Sequence, residues 1–121
     1  MKHNKIDKSI ALFKEAKTLM PGGVNSPVRE FKNINGNPIF FERASGAYLY
    51  DADHNEYIDY IGSWGPMIMG HSHPDIVSAI KNQVELGTSY GAPTSLESDV
   101  ARLIKKCIPS IEKIRMANSG T

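Results

Sequence analysis

The sequence has a single cysteine, no long apolar run and almost no excess of charge of one sign. Cys107 has no cysteine partner within the chain, and its register with Val100, Leu103 and Ile104 on one helix face predicts a buried packing role. No segment approaches the roughly 20 apolar residues that a membrane-spanning helix needs, and the N-terminus lacks the apolar stretch of a secretory leader. We therefore expect a cytoplasmic protein with no membrane partner.

The charge balance gives no reason to expect a nucleic-acid partner. Lysine and arginine total 14 against 13 aspartate and glutamate, which leaves a net charge of +1 over 121 residues. Nucleic-acid-binding domains instead carry strongly basic surfaces. Hydrophobic residues make up 40% of the chain and charged residues 22%, so the composition is that of a globular domain or of part of a larger one.

Apolar residues at spacings of three and four predict three helices. They run from Ile6 to Met20, from Pro74 to Gly87 and from about Ser95 to Pro109, and proline or glycine bounds each of them. The first and third helices are each expected to bury one apolar stripe, and the second has an apolar stripe along one side. These stripes are Ile6, Ile10, Phe13, Ala16 and Met20 in the first helix, Ile76, Ile80 and Val84 in the second, and Leu96, Val100, Leu103, Ile104 and Cys107 in the third. We interpret residues 24–37, which lack periodicity, as a loop.

Aromatic and β-branched residues predict strands in two places. Residues 38–61 are expected to form a small antiparallel unit, with strands at 39–41, 48–50 and 57–60 joined by turns at 44–46 and 53–55. A further strand is expected at 113–117, running into Asn118 and the turn that follows. One late strand is too little sheet for two helices to cover, so the pattern indicates an α/β protein of which this is the N-terminal part.

The tripeptide Ser119-Gly120-Thr121 follows that last predicted strand. A glycine there lets the backbone approach an anion closely, while amide and hydroxyl donors converge on it, which is typical of phosphate sites. Surface turns have the same composition, so the motif alone also fits an ordinary turn.

The loop 22–29 contains Ser26 and Arg29 in a segment stiffened by Pro27. A guanidinium can hold a carboxylate through two parallel hydrogen bonds, so Arg29 is a candidate for carboxylate recognition. The alternative is a solvated surface arginine, because arginine is mostly exposed in any case.

Trp64, the only tryptophan, lies in the glycine-rich stretch 62–70. Its ring either faces a planar ligand or fills the core beside Met67 and Met69. His71 and His73 lack the additional ligands of a zinc site, so we assign them structural or helix-capping roles and predict no metal.

The segment 51–62 begins like a calcium-binding loop but has Glu56 where that loop requires glycine. Gly62 also stands where the bidentate glutamate belongs. We therefore interpret residues 51–55 as a hairpin turn.

Taken in order, these segments resemble the glutamate-1-semialdehyde 2,1-aminomutases, a family of pyridoxal-phosphate enzymes within the class III aminotransferase group. The resemblance runs through nearly the whole chain and is carried by residues 21–29, 46–51, 57–60, 62–66, 70–74, 91–94 and 118–121. The hairpin, the Gly-His-x-His-Pro run and the final Ser-Gly-Thr are shared with related ω-aminotransferases. The Val-Asn-Ser-Pro-Val-Arg loop and the Gly-Ser-Trp-Gly-Pro segment point to the aminomutases.

The resemblance implies a fold-type I transferase that works as a homodimer. It implies conversion of glutamate-1-semialdehyde to 5-aminolevulinate for tetrapyrrole (porphyrin) synthesis, with pyridoxal 5'-phosphate as cofactor and its pyridoxamine form in the cycle. Matched by position, Ser26 and Arg29 would recognise the substrate carboxylate and Trp64 would line the substrate pocket. Ser119, Gly120 and Thr121 would contact the cofactor phosphate. Residues 1–61 would carry the N-terminal helix, recognition loop and strands, and residues 62–121 the start of the large cofactor domain.

The sequence departs from the family pattern because none of its lysines matches the one that binds the cofactor covalently. Lys105 and Lys106 fit a solvated helix edge, so no catalytic residue is assigned. We expect the 121-residue chain alone to be inactive and poorly folded. Two other interpretations remain: another class III ω-aminotransferase, and a small binding module whose exposed helix stripe pairs with a partner.

Overall fold

The computed structural model describes residues 5–34 and 36–118. Contacts divide the chain into one unit that ends at Ala79 and a second that begins at Ile80. The expectation that a cofactor domain begins near residue 62 stays a prediction.

The predicted N-terminal helix is present as α1, Asp7–Leu19. Phe13 and Ala16, from its predicted stripe, are buried and form part of a small core with Ala52, whereas the prediction is wrong for Ile10, which is exposed. The helix ends at the Pro21-Gly22-Gly23 turn, which the structure forms as a short 3₁₀ helix. Gly23 has a φ of +72°, and a Cβ there would lie 2.8 Å from Cε2 of Phe13, so only glycine lets the turn fold back onto α1.

The predicted antiparallel unit is a three-stranded sheet of β1 (Phe41–Ser45), β2 (Tyr48–Asp51) and β3 (Glu56–Ile58), in that order. The first strand was expected at 39–41 and instead begins at Phe41. Its pairing with β2 extends from Phe41 to Ser45, with a register shift between Phe41 and Arg43. A two-residue turn, in which Gly46 has a φ of +55°, joins the first two strands.

Asp53 fixes α1 to the turn between β2 and β3. Its Oδ1 accepts a hydrogen bond of 2.8 Å from the backbone N–H of Lys8, and its Oδ2 accepts one of 3.0 Å from that of Ser9. The first N–H groups of a helix have no partner within it, so this carboxylate acts as a cap supplied from outside the helix. The buried Ser9 hydroxyl in turn accepts a hydrogen bond of 3.1 Å from the N–H of Phe40. Hydrogen bonds therefore join α1 to the sheet unit at two points.

The second and third predicted helices are α2, Pro74–Leu86, and α3, Ser95–Cys107. The stripe of α3 was expected to be buried, and that prediction is wrong for Leu96, Val100, Leu103 and Cys107, which are exposed. The stripe of α2, Ile76, Ile80 and Val84, is exposed as well. An amphipathic helix buries its apolar face only against a second layer, and the described residues after Ala79 include no strand to supply one.

The strand expected at 113–117 is also absent from the described residues, where this segment has no regular structure. A strand needs a neighbour for its N–H and C=O groups, and residues 80–118 contain no other strand to pair with it. None of the three described helices, each 13 residues long, has the length and apolar character to cross a bilayer.

Candidate functional site

Two short 3₁₀ turns, Pro21–Gly23 and Pro27–Glu30, shape the loop that carries Ser26 and Arg29, which we call the recognition loop, residues 22–32. Pro27 presets the backbone angle at the start of the second turn. The C=O of Ser26 accepts a hydrogen bond of 2.9 Å from the N–H of Arg29, so the structure brings these two predicted residues into one turn. Phe31, at a φ of +60°, ends the turn and reverses the chain.

Arg29 is exposed, and within residues 5–34 and 36–118 its guanidinium forms no ion pair or side-chain hydrogen bond. Ser26 is half-buried and likewise has no side-chain partner in that part of the chain. A serine hydroxyl and an unpaired guanidinium three residues apart can together bind one carboxylate. Their role in substrate binding stays a prediction.

Glu30 closes the recognition loop on itself. A Cβ built on Gly22 would lie 2.8 Å from Oε2 of Glu30, so the carboxylate lies directly over that glycine. The same Oε2 is 2.9 Å from Nζ of Lys32, and the Glu30 side chain is only 15% exposed whereas that of Lys32 is 72% exposed. Gly22 has a φ of +69°, so a side chain there would be disfavoured both by the backbone and by the carboxylate.

Trp64 is 73% exposed, which excludes the alternative in which its ring fills the core of this chain. It lies in the 3₁₀ turn Gly62–Trp64, where Ser63 and Trp64 both have positive φ values, +55° and +67°. Such values are costly for residues with a Cβ and persist only where the surrounding structure imposes them. The backbone therefore presents the indole outward from a strained turn.

Asp59 and His71 hold the two ends of the Trp64 loop, residues 59–71, together. Oδ2 of Asp59 lies 2.6 Å from Nε2 of His71, and the side chains are 5% and 15% exposed. The other oxygen, Oδ1, accepts from the N–H groups of Ile61 at 2.8 Å and Gly62 at 3.0 Å. The hydrogen bond from His71, followed by the one from Ile61, lowers the pKa of the Asp59 carboxyl, so this group favours its charged form.

Backbone hydrogen bonds also join the end of this loop to the turn between β1 and β2. His71 and Gly46 exchange backbone hydrogen bonds of 2.8 and 2.9 Å. A Cβ on Gly70 would lie 2.9 Å from the carbonyl oxygen of Gly46, so the close approach requires glycine. The turn between β1 and β2 and this loop line an open pocket of about 390 Å³, formed by Gly46, Ala47, Asp59, Gly62, Met67, Ile68, Met69, Gly70 and His71.

Asp51, which began the calcium-like pattern, organises the hairpin turn instead. It is 1% exposed, and its oxygens accept hydrogen bonds from the backbone of Asp53 and Asn55, from the Asn55 side chain and from the hydroxyl of Tyr57. Burial acts to raise the pKa of Asp51, but these hydrogen bonds outweigh it and lower the pKa. The predicted hairpin turn is therefore confirmed.

The structure gathers only part of the predicted site. Ser26 and Arg29 share one turn, whereas no described hydrogen bond or ion pair joins Trp64 to either of them. Sequence reasoning missed Asp59, although aspartate side chains in turns commonly accept from the backbone N–H two residues on, as Asp59 does from Ile61. It also missed Asp53 and Glu30, whose partners depend on the folded chain.

The residues predicted to bind the cofactor phosphate, Ser119, Gly120 and Thr121, lie outside the described residues. Every described lysine is exposed. A lysine that binds an aldehyde cofactor covalently is instead activated by a desolvated pocket or a neighbouring cation. Within residues 5–34 and 36–118 no lysine lies in such an environment, and the roles assigned to Ser26, Arg29 and Trp64 stay predictions.

Known proteins with similar sequences and structures agree on one family. The sequence model described as aminotransferase class-III matches residues 31–121. A curated relative from Heliobacterium modesticaldum, glutamate-1-semialdehyde 2,1-aminomutase, is 62% identical over 115 residues, which cover 95% of this chain and 26% of the relative. The chain thus spans about a quarter of the length of that relative.

Two solved structures share its fold. An ω-transaminase from Sphaerobacter thermophilus matches with a TM-score of 0.83 at 32% identity, covering 93% of this chain and 25% of that one. A glutamate-1-semialdehyde aminomutase from Pseudomonas aeruginosa matches with a TM-score of 0.72 at 23% identity, covering 82% and 22%, which shows the fold alone. The chain belongs to the class III aminotransferase family, with the fold of the pyridoxal-phosphate transaminases.

Proposed function

We propose that the protein acts as a glutamate-1-semialdehyde 2,1-aminomutase, which converts glutamate-1-semialdehyde to 5-aminolevulinate with pyridoxal 5'-phosphate as cofactor. The observation that carries this proposal is the 62% identity with the Heliobacterium relative over 115 residues. The 115 aligned residues make up 95% of the chain, so both loops that distinguish the aminomutases lie within the aligned span. The unpaired guanidinium of Arg29 supports it independently.

In this proposal Arg29 binds the substrate carboxylate. Its guanidinium is exposed, and no carboxylate among the described residues pairs with it, so an incoming anion displaces water rather than a protein partner. Ser26, fixed to the same turn by the 2.9 Å bond between its C=O and the N–H of Arg29, adds a hydroxyl donor. Together they orient the substrate by the end of the molecule that does not react.

Trp64 lines the substrate pocket in the same proposal. The exposed indole of Trp64 gains little free energy from burial within this chain, and its backbone has an unfavourable positive φ. Contact with a ligand would explain this position, whereas packing within the described residues does not. Its ring would exclude water and provide a flat face for the apolar part of the substrate. The Asp59–His71 pair holds the two ends of the loop that carries it.

Ser119, Gly120 and Thr121 would bind the cofactor phosphate through backbone and hydroxyl donors. When bound, the cofactor supplies the electron-accepting ring on which amino-group transfer depends. The covalent lysine is not assigned to any residue of this chain. We also propose a cytoplasmic homodimer with no nucleic-acid partner, and residues 62–121 as the start of the cofactor domain.

A second candidate is another ω-aminotransferase of class III. The better structural match to the Sphaerobacter ω-transaminase than to the Pseudomonas aminomutase favours it, with TM-scores of 0.83 against 0.72. These scores compare backbones within one fold, whereas substrate choice depends on individual side chains. The sequence identity therefore carries more weight.

The test measures turnover of two classes of substrate by the full-length protein and kcat/KM of two arginine variants. Turnover of glutamate-1-semialdehyde without an added amino donor supports the aminomutase, and turnover only with an ω-amino acid donor supports the second candidate. Arg29→Gln is expected to lower kcat/KM for glutamate-1-semialdehyde by about 10- to 100-fold, the range for losing charge-assisted hydrogen bonds. The matched control is Arg102→Gln, since Arg102 is also exposed but pairs with Asp99 at 2.6 Å on α3. Equal effects of the two variants would contradict the role of Arg29.

A further inference from the structure

The recognition loop contains two basic residues and one acidic residue, and only one basic residue is paired. Glu30 directly follows Arg29, yet Oε2 of Glu30 contacts Nζ of Lys32 at 2.9 Å. Arg29 is left without an ion pair among the described residues. The choice of partner is notable because arginine binds carboxylates in the more favourable two-point geometry.

Two features of the backbone direct Glu30 toward Lys32. Phe31 ends the turn in the left-handed conformation, with a φ of +60°, and Nζ of Lys32 lies 2.9 Å from Oε2 of Glu30. The Glu30 carboxylate lies over Gly22, where a side chain would collide with it at 2.8 Å, so glycine leaves room for the carboxylate at this position. Glu30 is therefore 85% buried against its own loop while Arg29 stays in water.

We propose that the Lys32–Glu30 pair is a positioning device that keeps Arg29 available for the substrate carboxylate. This inference rests on the proposed function. Without the ammonium of Lys32, the Glu30 carboxylate lacks a counter-ion, and Arg29 is its adjacent cation in the chain. A carboxylate of the protein would then compete with the carboxylate of the substrate.

The pair has one exposed and one largely buried partner. Lys32 is 72% exposed, so water and salt screen its charge, whereas the Glu30 side chain is 15% exposed and loses its counter-ion when Lys32 is removed. Lys32→Met therefore acts on stability as well as on which anion Arg29 binds, and the neutral amide of Glu30→Gln removes both effects. The device predicts a change in KM without a change in kcat.

The test uses four variants of the full-length protein and two substrates. Lys32→Met should raise KM for glutamate-1-semialdehyde about three- to fivefold, the range that an exposed ion pair supports, with kcat within about twofold. The double variant Lys32→Met/Glu30→Gln should restore KM, because a neutral amide does not compete for Arg29. Lys32→Arg should keep the pair and the original KM. Lys105→Met, at an exposed lysine of α3, is the matched control.

The second substrate is 2-aminobutanal, which is glutamate-1-semialdehyde without its carboxyl group. With it, Lys32→Met should change nothing. If the double variant is as impaired as Lys32→Met, or if both substrates are affected equally, the pair is structural and the proposal is overturned.

Failure of the proposed function has a different signature. There, Arg29→Gln itself would leave KM for glutamate-1-semialdehyde unchanged. An effect of Arg29→Gln together with no effect of Lys32→Met refutes only the positioning role of the Lys32–Glu30 pair.

Discussion

The carboxylate of Asp59 joins His71 across 12 positions of the sequence, with 2.6 Å between Oδ2 and Nε2. The segment between these residues carries Trp64, and both of its ends meet at this one contact. Because Asp59 also accepts from the N–H groups of Ile61 and Gly62, one side chain fixes both the start and the end of the loop. The position of the exposed indole thus depends on a pair that lies outside the predicted binding residues.

Acid should release this loop. The pKa of Asp59 is lowered in the folded state, chiefly by the hydrogen bond from His71, so its contribution to stability is complete above the unfolded pKa of about 3.9. The contribution is then lost as the pH falls through the lower folded value. Fluorine NMR of a fluorotryptophan at position 64, assigned by its absence in Trp64→Phe, should show the Trp64 signal shift and narrow below about pH 4.

Asp59→Asn separates this effect from general acid unfolding. The amide keeps the size of the side chain but lacks the charge, so its Trp64 signal at neutral pH should resemble that of the original protein in acid. Asp51 and Asp53 also have lowered pKa values, so acid weakens the hairpin too. An Asp59→Asn signal identical to the original at neutral pH would contradict the role assigned to the pair.

Gly70 should tolerate alanine much less well than Gly65. Both have positive φ values, +74° and +110°, so both substitutions incur the cost of a left-handed alanine, about 1–2 kcal/mol. Only at Gly70 does the new Cβ also meet backbone, at 2.9 Å from the oxygen of Gly46, whereas nothing lies within 4 Å at Gly65. Gly70→Ala should therefore cost about 1–3 kcal/mol more in chemical denaturation. If the two substitutions lowered the free energy of unfolding equally, the backbone at Gly46 would have moved away from the new Cβ at little cost.

Asp53→Ala should loosen the first turn of α1. The substitution removes both acceptors from the N–H groups of Lys8 and Ser9, which then lack partners. Amide hydrogen exchange in the first turn of α1 should become faster while exchange in α3 stays unchanged. Asp53→Asn retains one acceptor oxygen and should have an intermediate effect. Faster exchange throughout the protein would point to global destabilisation instead.

Substitution of Trp64 should weaken substrate binding while leaving the stability of the fold nearly unchanged. The ring is 73% exposed, so Trp64→Ala is expected to change the free energy of unfolding by no more than about 0.5 kcal/mol while raising KM. Trp64→Gly should be about 0.5–1 kcal/mol more stable than Trp64→Ala, because glycine accepts the φ of +67° without strain. Both variants should have similar KM values. A large loss of stability in either one would show that the indole packs in the full-length protein.

The sequence by itself determined the local structure. Pro74 and Gly87 bounded α2 correctly, Pro21-Gly22-Gly23 ended α1, and the hairpin turn at 51–55 followed from its turn residues. Ser26 and Arg29 were identified as candidates from their residue types and their loop. These features depend on interactions between residues a few positions apart, which the order of residues specifies directly.

Only the tertiary structure decided the long-range partners. Asp53 caps a helix 44 and 45 positions earlier, Asp59 reaches His71, and Glu30 turns toward Gly22 and Lys32 rather than Arg29. The sequence pattern also could not predict that the apolar stripes of α2 and α3 are exposed. Periodicity shows which face of a helix is apolar, but burial depends on whether a second layer lies against that face.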